Sequence, residues 1–183
     1  NAASHSEFII YFSRATRCTP CTMLDCLSQR HAEIMRMVVK LAYNNRHSKK
    51  GQPKGRPFAA AIADEGQIVG LGVNSIHQAQ DMTAHAEMEA IRDCCRTRHK
   101  ATLEGLTVYA SGHPCPMCLA AIVAGNAKQV FFAFDNADAA PYGLSSEGTY
   151  QRLRLSLDPA PLPITRIDTG ITAAQLYGDA PWP

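Results

Sequence analysis

Two short stretches decide the fold of this chain: "TAHAEMEA", residues 83–90, and "SGHPCPMC", residues 111–118. In the first stretch, His85 comes two residues before a glutamate. In the second stretch, Cys115 and Cys118 are three residues apart, next to a proline of the kind that often opens a helix. Side chains at i and i+3 lie on the same face of a helix. The spacing therefore predicts that the two sulfur atoms lie together at a helix start.

The residue types in these stretches suit zinc. Zinc takes thiolate and imidazole ligands in tetrahedral geometry, and a catalytic site keeps the fourth position for water. His85, Cys115 and Cys118 supply three such ligands, and the positive end of a helix favours thiolates. We therefore predict one Zn²⁺ per chain. The alternatives are a purely structural zinc site, or a histidine and two buried cysteines that pack in an apolar core.

Glu87 adds the group that chemistry at such a site needs. It lies on the same helical turn as His85, and a carboxylate there can take a proton from water and pass it to a leaving amine. These parts suit hydrolytic deamination, in which water attacks a carbon that bears an amine and ammonia leaves. The pattern H-x-E followed by P-C-x-x-C is the signature of zinc nucleobase deaminases. Here it is His85-Ala86-Glu87 and then "PCPMC".

The sequence around these stretches predicts alternating helices and strands. Apolar spacing, turn residues and short buried runs are the signals. The predicted helices are residues 31–46, 84–95, 116–124 and 173–177, and the predicted strands are residues 58–63, 67–73, 106–110, 130–134 and 163–167. The fold class predicted is α/β, a three-layer α/β/α sandwich around a five-stranded mixed sheet.

We divide the chain into three parts. Residues 1–30 are an extension of uncertain structure, residues 31–157 are the zinc-dependent domain, and residues 158–183 complete it with a strand, a short helix and a tail. The stretch after residue 135 is expected to be rich in loops.

Composition limits the classes of function. The 183 residues carry a net charge of +2, so charge alone gives no strong case for a polyanion partner. Seven cysteines, an odd number, argue against a disulfide framework and favour a reducing compartment. No apolar run is long enough to span a membrane, and no basic start followed by a long apolar stretch marks a signal peptide. We expect a cytoplasmic protein.

The motifs resemble the cytidine deaminase-like superfamily, and within it the branch of bacterial guanine deaminases and tRNA adenosine deaminases. The resemblance covers residues 31–157 and is carried by "PFAAAIADEGQIVGLGVN", "AHAEMEAIRDCCR" and "PCPMCLAAIVAGNAKQVFFAF". It implies His85, Cys115 and Cys118 as zinc ligands and Glu87 as the proton shuttle. It also implies a homodimer.

The resemblance further implies contacts to a substrate. Asn74 matches a family asparagine that hydrogen-bonds the base or sugar, although it is equally well a turn residue at a strand end. The backbone N–H groups of Ala86 and Cys115 are expected to face the pocket. "DNADAAPYGLSSEGTY" is similar to the guanine deaminase stretch after the fourth strand, which favours a free purine base and places Ser146 and Glu147 at the base.

The sequence departs from that pattern at three places. Guanine deaminases carry an acidic residue where Ser146 stands, so Glu147 is its possible substitute, and they carry an aromatic residue near Ala124. His113 replaces the usual glutamate before Pro-Cys. It is interpreted as a loop hydrogen-bonder, with a substrate contact or a spare metal ligand as the alternatives.

Other signals bear on the partner. Cys18 and Cys21 have redox or zinc spacing but no second pair to match them. Two basic clusters suit either RNA phosphates or solvent: Arg46, Lys49, Lys50, Lys54 and Arg56, then Arg92, Arg96, Arg98 and Lys100. From residue 135 onward, acidic residues outnumber basic ones: Asp135, Asp138, Glu147, Asp158, Asp168 and Asp179 against Arg152, Arg154 and Arg166. The tail therefore argues against nucleic acid.

The leading hypothesis is zinc-dependent hydrolytic deamination of a free nucleobase or nucleoside, with a guanine-like purine first. The partner is then a small amine-bearing heterocycle. The alternatives are a tRNA adenosine deaminase or a cytosine- or cytidine-type deaminase, and third a non-catalytic zinc module in which His113 fills the fourth zinc position.

Overall fold

The computed structural model describes residues 23–47 and 55–182. Cys18 and Cys21, most of the predicted extension, and the three lysines of the first basic cluster lie outside the described residues.

The described chain alternates helices and strands as predicted. The helices are α1 (Met23–Arg46), α2 (Ile76–Ala79), α3 (Ala86–Arg98), α4 (Pro116–Ala124), α5 (Asn136–Ala139), α6 (Glu147–Leu153) and α7 (Ala173–Leu176). The strands are β1 (Ala59–Asp64), β2 (Gln67–Val73), β3 (Thr107–Gly112), β4 (Gln129–Phe134) and β5 (Ile164–Arg166). A short 3₁₀ helix, Ala140–Tyr142, follows α5.

The five strands form one mixed sheet in the order β2-β1-β3-β4-β5. β1 is antiparallel to both β2 and β3, whereas β3, β4 and β5 run parallel. Parallel neighbours need a crossover, and α4 supplies the one between β3 and β4. The predicted mixed five-stranded sheet is confirmed.

Each face of the sheet carries its own apolar core. On one face, alternate residues of β1 such as Ala59 and Ala61 pack with Ile34, Val38 and other residues of α1. On the opposite face, Ala60 and Ile62 pack with apolar residues of α3 and α4. The alternation follows from the two-residue period of a strand. The result is the predicted three-layer sandwich, with the helices that carry the motifs on one side.

Two glycines of β2 let α3 lie close to the sheet. A Cβ on Gly72 would come within 2.2 Å of the carbonyl oxygen of Ala86, and one on Gly70 within 2.7 Å of the carbonyl oxygen of Ala90. Real side chains never approach backbone so closely, so only glycine permits this packing. The start of α3, and with it His85, is therefore placed by the surface of β2.

Three regions differ from the sequence prediction. α2, Ile76–Ala79, lies in a stretch for which no helix was predicted. α1 begins at Met23, eight residues before the predicted start. The stretch after Phe134 contains α5 and α6 instead of loop alone. α5 is only one turn long and begins with a capping box in which Asp135 and Asp138 satisfy each other's backbone N–H groups. A one-turn helix is too short to show an apolar period, so no periodic signal marks it in the sequence.

Within the described ranges, no helix combines the length and apolar character that crossing a membrane requires.

Candidate metal centre and cavity

The site lies at one edge of the sheet, where several strands end together. Asn74 follows β2, His113 follows β3 and Asp135 follows β4, whereas Phe58 precedes the antiparallel β1. Backbone hydrogen bonds join these ends: Asn74 N–H to the Phe58 carbonyl oxygen at 3.0 Å, and His113 N–H to the Phe134 carbonyl oxygen at 2.7 Å. The carboxyl edge of a parallel sheet is where open α/β folds place their ligands.

Two helix starts meet at this edge. His85 is the N-cap residue of α3, and Cys115 is the N-cap residue of α4, with Pro116 as the first helical residue. Cys118 lies one turn into α4 and is fully buried. The structure thus brings the three predicted ligands together, although His85 is thirty residues away from Cys115 in sequence.

The distances among the three ligand atoms fit a zinc ion. His85 Nδ1 is 3.5 Å from Cys115 Sγ and 3.6 Å from Cys118 Sγ, and the two sulfur atoms are 3.6 Å apart. With Zn–S of about 2.3 Å and Zn–N of about 2.0 Å, tetrahedral angles place S and N about 3.5 Å apart and the two S atoms about 3.8 Å apart. Two soft thiolates and one imidazole are a donor set that zinc accepts. The three residues can therefore hold zinc without rearrangement.

The electrostatics of the two thiols agree with this. The hydrogen bond from Cys118, and then that with His85, lower the pKa of Cys115 to about 4. Cys115 and Cys118 share one proton between their sulfur atoms, and this hydrogen bond raises the pKa of Cys118. The hydrogen bond with Cys115 also raises the pKa of His85. Two sulfur atoms that compete for one proton are a pair that a divalent cation can satisfy together.

Glu87 lies beside this group. Its side chain is 8% exposed and lines the same cavity as His85 and Cys115. Burial raises the pKa of Glu87 to about 7, with a further contribution from the negative charge of Cys115. A carboxyl group whose pKa lies near neutrality can both accept and donate a proton.

A cavity of about 300 Å³ opens in front of these residues. The volume is at the small end of the range for small-molecule sites. Besides the residues already named, its lining is a mixture of polar and apolar side chains: Arg56, Met82, Pro116, Met117, Asn136, Ala139, Leu144, Ser145, Ser146, Thr149 and Tyr177. A second hollow of about 470 Å³ lies at the β1–β2 turn and is lined by Arg30, Asp64, Glu65, Gln67 and Val69. It holds no imidazole or thiol, and we place the chemistry in the smaller cavity.

His113 lies in the cavity wall as a hydrogen-bonded loop residue. Its Nδ1 is 3.0 Å from the Pro114 carbonyl oxygen, which requires that Nδ1 carry the proton and donate. The ring packs edge-on against Phe132 and Tyr150. Burial lowers the pKa of His113, so the neutral form is favoured. Within the described residues, the group that can hold a metal comprises His85, Cys115 and Cys118 and does not include His113.

The four predicted substrate contacts fall in different places. Asn74, which is 3% exposed, and Ser146 both line the cavity. Ala86 is buried in the core beneath the cavity, and its side chain does not line it. Glu147 is exposed at the first position of α6, outside the lining. The carboxylate that was expected to replace an acidic residue at position 146 thus does not line the cavity.

Sequence reasoning missed two residues of the wall. Asn136 accepts hydrogen bonds from the Ser146 N–H at 2.9 Å, from the Ser146 hydroxyl at 3.0 Å and from the Ser145 hydroxyl at 3.4 Å. A signal for Asn136 existed, because a polar residue directly after a parallel strand lies at the ligand edge of the sheet. Tyr177, from the end of α7, had no such signal, since it reaches the cavity only through long-range packing.

Comparison with known proteins agrees with this site. A family model described as the cytidine and deoxycytidylate deaminase zinc-binding region matches residues 28–134. The guanine deaminase of Bacillus subtilis is 35% identical over 113 residues, which is 62% of this chain and 72% of that protein. The tRNA-specific adenosine deaminase of Aquifex aeolicus is 39% identical over 89 residues, which is 48% of this chain and 59% of that protein.

Solved structures share the fold. The X-ray structure of the Bacillus subtilis guanine deaminase superposes with a TM-score of 0.61 at 33% identity, over 72% of this chain and 82% of that one. A guanine deaminase from Nitrosomonas europaea superposes with a TM-score of 0.65 at 19% identity, over 89% of this chain and 96% of that one. On the motifs, the metal-site geometry and these matches, the chain belongs to the cytidine deaminase-like family of zinc-binding deaminases.

Proposed function

We propose that this protein is a zinc-dependent hydrolase that deaminates a free nucleobase or nucleoside, with a guanine-like purine as the first candidate. The observation that carries the proposal is the placement of Glu87. A buried carboxyl group with a pKa near neutrality lines the same cavity as a His-Cys-Cys triangle of zinc dimensions. A purely structural zinc site has no use for such a group.

The chain's own residues then have separate roles. His85, Cys115 and Cys118 would hold the ion, which would supply Lewis-acid chemistry by lowering the pKa of water. Glu87 accepts a proton from the attacking water and delivers protons to the ring nitrogen and to the leaving amine, so that ammonia departs. Asn74, which is buried in the cavity wall, holds the edge of the base.

A purine base is favoured by the relatives, whereas one residue of the wall weakens the binding expected for guanine. The Bacillus subtilis guanine deaminase is matched over 72% of its length. Ser146 lines the cavity where those enzymes are expected to carry an acidic residue, and its hydroxyl is already donated to Asn136. What Ser146 still offers a base is a neutral acceptor, so we expect guanine to be bound more weakly than by an acidic side chain.

The second candidate, a tRNA adenosine deaminase, is favoured by the Aquifex aeolicus relative. The charges beside the cavity argue against a tRNA substrate. Arg166, the single basic side chain of β5, is paired with Asp135 at 2.9 Å and with Asp138 at 2.7 Å. Those pairs neutralise a cation near the cavity that would otherwise meet a phosphate.

A cytosine- or cytidine-type deaminase is the remaining catalytic alternative, and a non-catalytic zinc module is the third class.

The deciding experiment is ammonia release from zinc-loaded protein. The panel is guanine, adenine, cytosine, guanosine, adenosine, cytidine and tRNA, with Glu87→Ala as the blank. We expect release from guanine or another free purine and none in the blank. Release from tRNA alone, together with tight and salt-sensitive filter binding of tRNA, would establish the second candidate instead. If no member of the panel releases ammonia although one zinc is bound per chain, the non-catalytic module is favoured.

We also propose a homodimer in the cytoplasm. Support for the dimer comes from α4, in which every residue is apolar and three, Ala120, Val123 and Ala124, are exposed. A second copy of the chain covers such a face at low cost. Light scattering on a gel-filtration peak should give twice the chain mass, and Val123→Glu should shift the peak to one chain mass. A wild-type peak at one chain mass would contradict the proposed homodimer.

A further inference from the structure

The cavity contains two buried polar atoms that have no hydrogen-bond partner. Among side-chain nitrogen and oxygen atoms of the described residues, only Asn74 Oδ1 and the Tyr177 hydroxyl are both buried and unpartnered. Both residues line the cavity in front of the metal centre. Leaving a buried polar atom unpaired destabilises a folded protein by about 1–3 kcal/mol. Such atoms therefore need an explanation, and a ligand that pairs with them is one.

Tyr177 is fixed in place around that hydroxyl. The residue is 4% exposed, and its ring packs against three others, Phe58, Phe134 and Tyr142, with centroid distances of 5.8, 5.3 and 5.8 Å. Burial raises the pKa of Tyr177 far above its ordinary value, so the hydroxyl keeps its proton and remains a donor. The ring cannot turn away to bring the hydroxyl to water without disturbing this aromatic packing.

Gly112 leaves room for the hydroxyl beside the metal-binding loop. A Cβ on Gly112 would lie 3.2 Å from the Tyr177 oxygen and 2.9 Å from the Phe58 ring. Gly112 is the last residue of β3 and is followed by His113, Pro114 and the ligand Cys115. The Tyr177 hydroxyl therefore lies against the strand end that leads into the metal centre.

Arg46 at the end of α1 holds the backbone on both sides of Tyr177. Its guanidinium donates to the carbonyl oxygen of Gly178 at 2.5 Å and to that of Leu176 at 3.5 Å, and it pairs with Asp179 at 3.1 Å. Trp182 adds a second attachment to α1, with its ring 4.2 Å from that of Tyr43. These contacts fix the segment that carries Tyr177 to the body of the domain.

We propose that the Tyr177 hydroxyl is a substrate-binding donor, and that Arg46 is the positioning residue that keeps it in the cavity wall. The acceptor is a ring nitrogen or a carbonyl oxygen of the heterocycle. Because the hydroxyl has no protein partner to give up, the bond to a substrate is gained without breaking another. This assignment rests on the proposed function, since it takes a heterocycle to be the ligand of this cavity.

The test combines stability with binding in the full, zinc-loaded chain. Tyr177→Phe removes only the hydroxyl. We expect its Tm to be unchanged or higher, because the lost group was unpaired, and its KM to rise about 5- to 30-fold with a smaller change in kcat. Affinity is measured by calorimetry with 8-azaguanine, a ligand seen in a structural neighbour of 18% identity. It is measured in a Glu87→Gln background, so that turnover does not interfere.

Two other tyrosines are matched controls. The Tyr150 hydroxyl donates to the Pro114 carbonyl oxygen at 2.7 Å, so Tyr150→Phe should lower the Tm. Tyr142 packs on Tyr177 but lies outside the cavity lining, so Tyr142→Phe should leave both Tm and affinity unchanged. Arg46→Met should raise KM as Tyr177→Phe does, and Arg46→Lys should restore part of the loss. A Tyr177→Phe variant with unchanged affinity, or with the Tm loss of Tyr150→Phe, overturns the proposal.

The outcomes separate this proposal from the proposed function. If wild-type protein binds 8-azaguanine but releases no ammonia from the panel, deamination is wrong, and weaker binding by Tyr177→Phe still supports the contact. If wild-type protein deaminates a base and Tyr177→Phe has the same KM, only the contact is wrong. If wild-type protein neither binds 8-azaguanine nor acts on any member of the panel, both are overturned.

Discussion

The metal-binding end of the cavity and the wall that faces it are held in place in different ways. The metal-binding end consists of His85, Glu87, Cys115 and Cys118, all within one turn of a helix start. The wall is built from two segments, residues 135–146 and 172–178. Long-range contacts from Arg166 on β5 and Arg46 on α1 attach these segments to the domain.

The difference separates chemistry from selectivity. At the metal-binding end, strand ends, helix caps and a three-residue spacing fix the positions of the candidate ligands and of Glu87. In the wall, the segments depend on single distant contacts such as those of Arg46 and Arg166, neither of which touches a candidate metal ligand. Changes at the metal-binding end should therefore abolish the reaction, whereas changes in the wall should alter which ligand binds and how tightly.

Glu87→Gln gives the largest expected effect. It keeps the shape of the side chain but removes the carboxyl group that we propose moves protons, so ammonia release should fall roughly 10²- to 10⁴-fold. Zinc content, measured by mass spectrometry of the metal, should stay at one per chain. Glu89→Gln is the matched control, because Glu89 lies on the same helix, pairs with Arg92 and is outside the cavity lining. Retained activity in Glu87→Gln would mean that another group carries the protons.

Gly72→Ala should disturb the metal-binding end indirectly, by displacing the helix that carries His85. Its Cβ would collide with the backbone of Ala86 and Ala90, so α3 must move and carry His85 with it. We expect the free energy of unfolding to fall by about 3 kcal/mol, a large overpacking effect, and zinc content to fall below one per chain. Chemical denaturation measures the free energy of unfolding, and elemental analysis measures the zinc content.

Gly148→Ala is the control for that substitution. Gly148 lies in α6 with no atom within 4 Å of its added Cβ, and alanine is a better helix residue than glycine by roughly 0.5–1 kcal/mol. This variant should be as stable as the wild type or more so. Equal behaviour of the two variants would show that α3 does not depend on the close approach at Gly72.

These two regions also differ in how far the sequence predicted them. The candidate zinc ligands and Glu87 could be singled out because the spacing of Cys115 and Cys118 and the strand–helix alternation are local signals. The sheet followed from buried runs such as residues 130–134. The wall was predicted only in part. The helix at residues 173–177 and the placement of Ser146 were expected, whereas α5 is one turn long and has no period. Tyr177 had no local signal, because its position depends on Arg46, 131 positions earlier in the chain, which binds the carbonyl oxygens of the residues on either side of it.

Asn136→Ala probes the wall itself. Loss of the amide oxygen leaves the Ser146 N–H and hydroxyl without their acceptor, so the loop before α6 should loosen. We expect KM to rise about 5- to 10-fold, as for the loss of one or two hydrogen bonds, with a smaller change in kcat. Asn136→Asp retains an acceptor oxygen and should recover much of the wild-type KM. A loss of kcat alone would place Asn136 with the metal-binding end instead.

The smallest expected effect lies away from both regions. His31 on α1 is hydrogen-bonded through Nδ1 to the Tyr109 hydroxyl at 2.5 Å, and its ring packs against Phe131. Burial, and then the charge of Lys128, lower the pKa of His31, while burial raises the pKa of Tyr109 to about 12. The tyrosine therefore donates to a neutral imidazole at neutral pH, and it remains protonated throughout the range in which His31 titrates.

The sign of the pH dependence follows from the lowered pKa. Below about pH 6.5 the unfolded chain binds a proton at His31 that the folded chain resists. The stability contributed by the neutral imidazole is thus complete above that pH and is lost as the pH falls through the lower folded value. Between about pH 7.5 and about pH 5.5, the wild-type Tm should fall by more than that of His31→Gln. The exposed His77 provides the control, since His77→Gln should keep the wild-type slope. Because all these variants retain the metal-binding end, acid release of zinc affects them equally, and the difference in slope isolates His31.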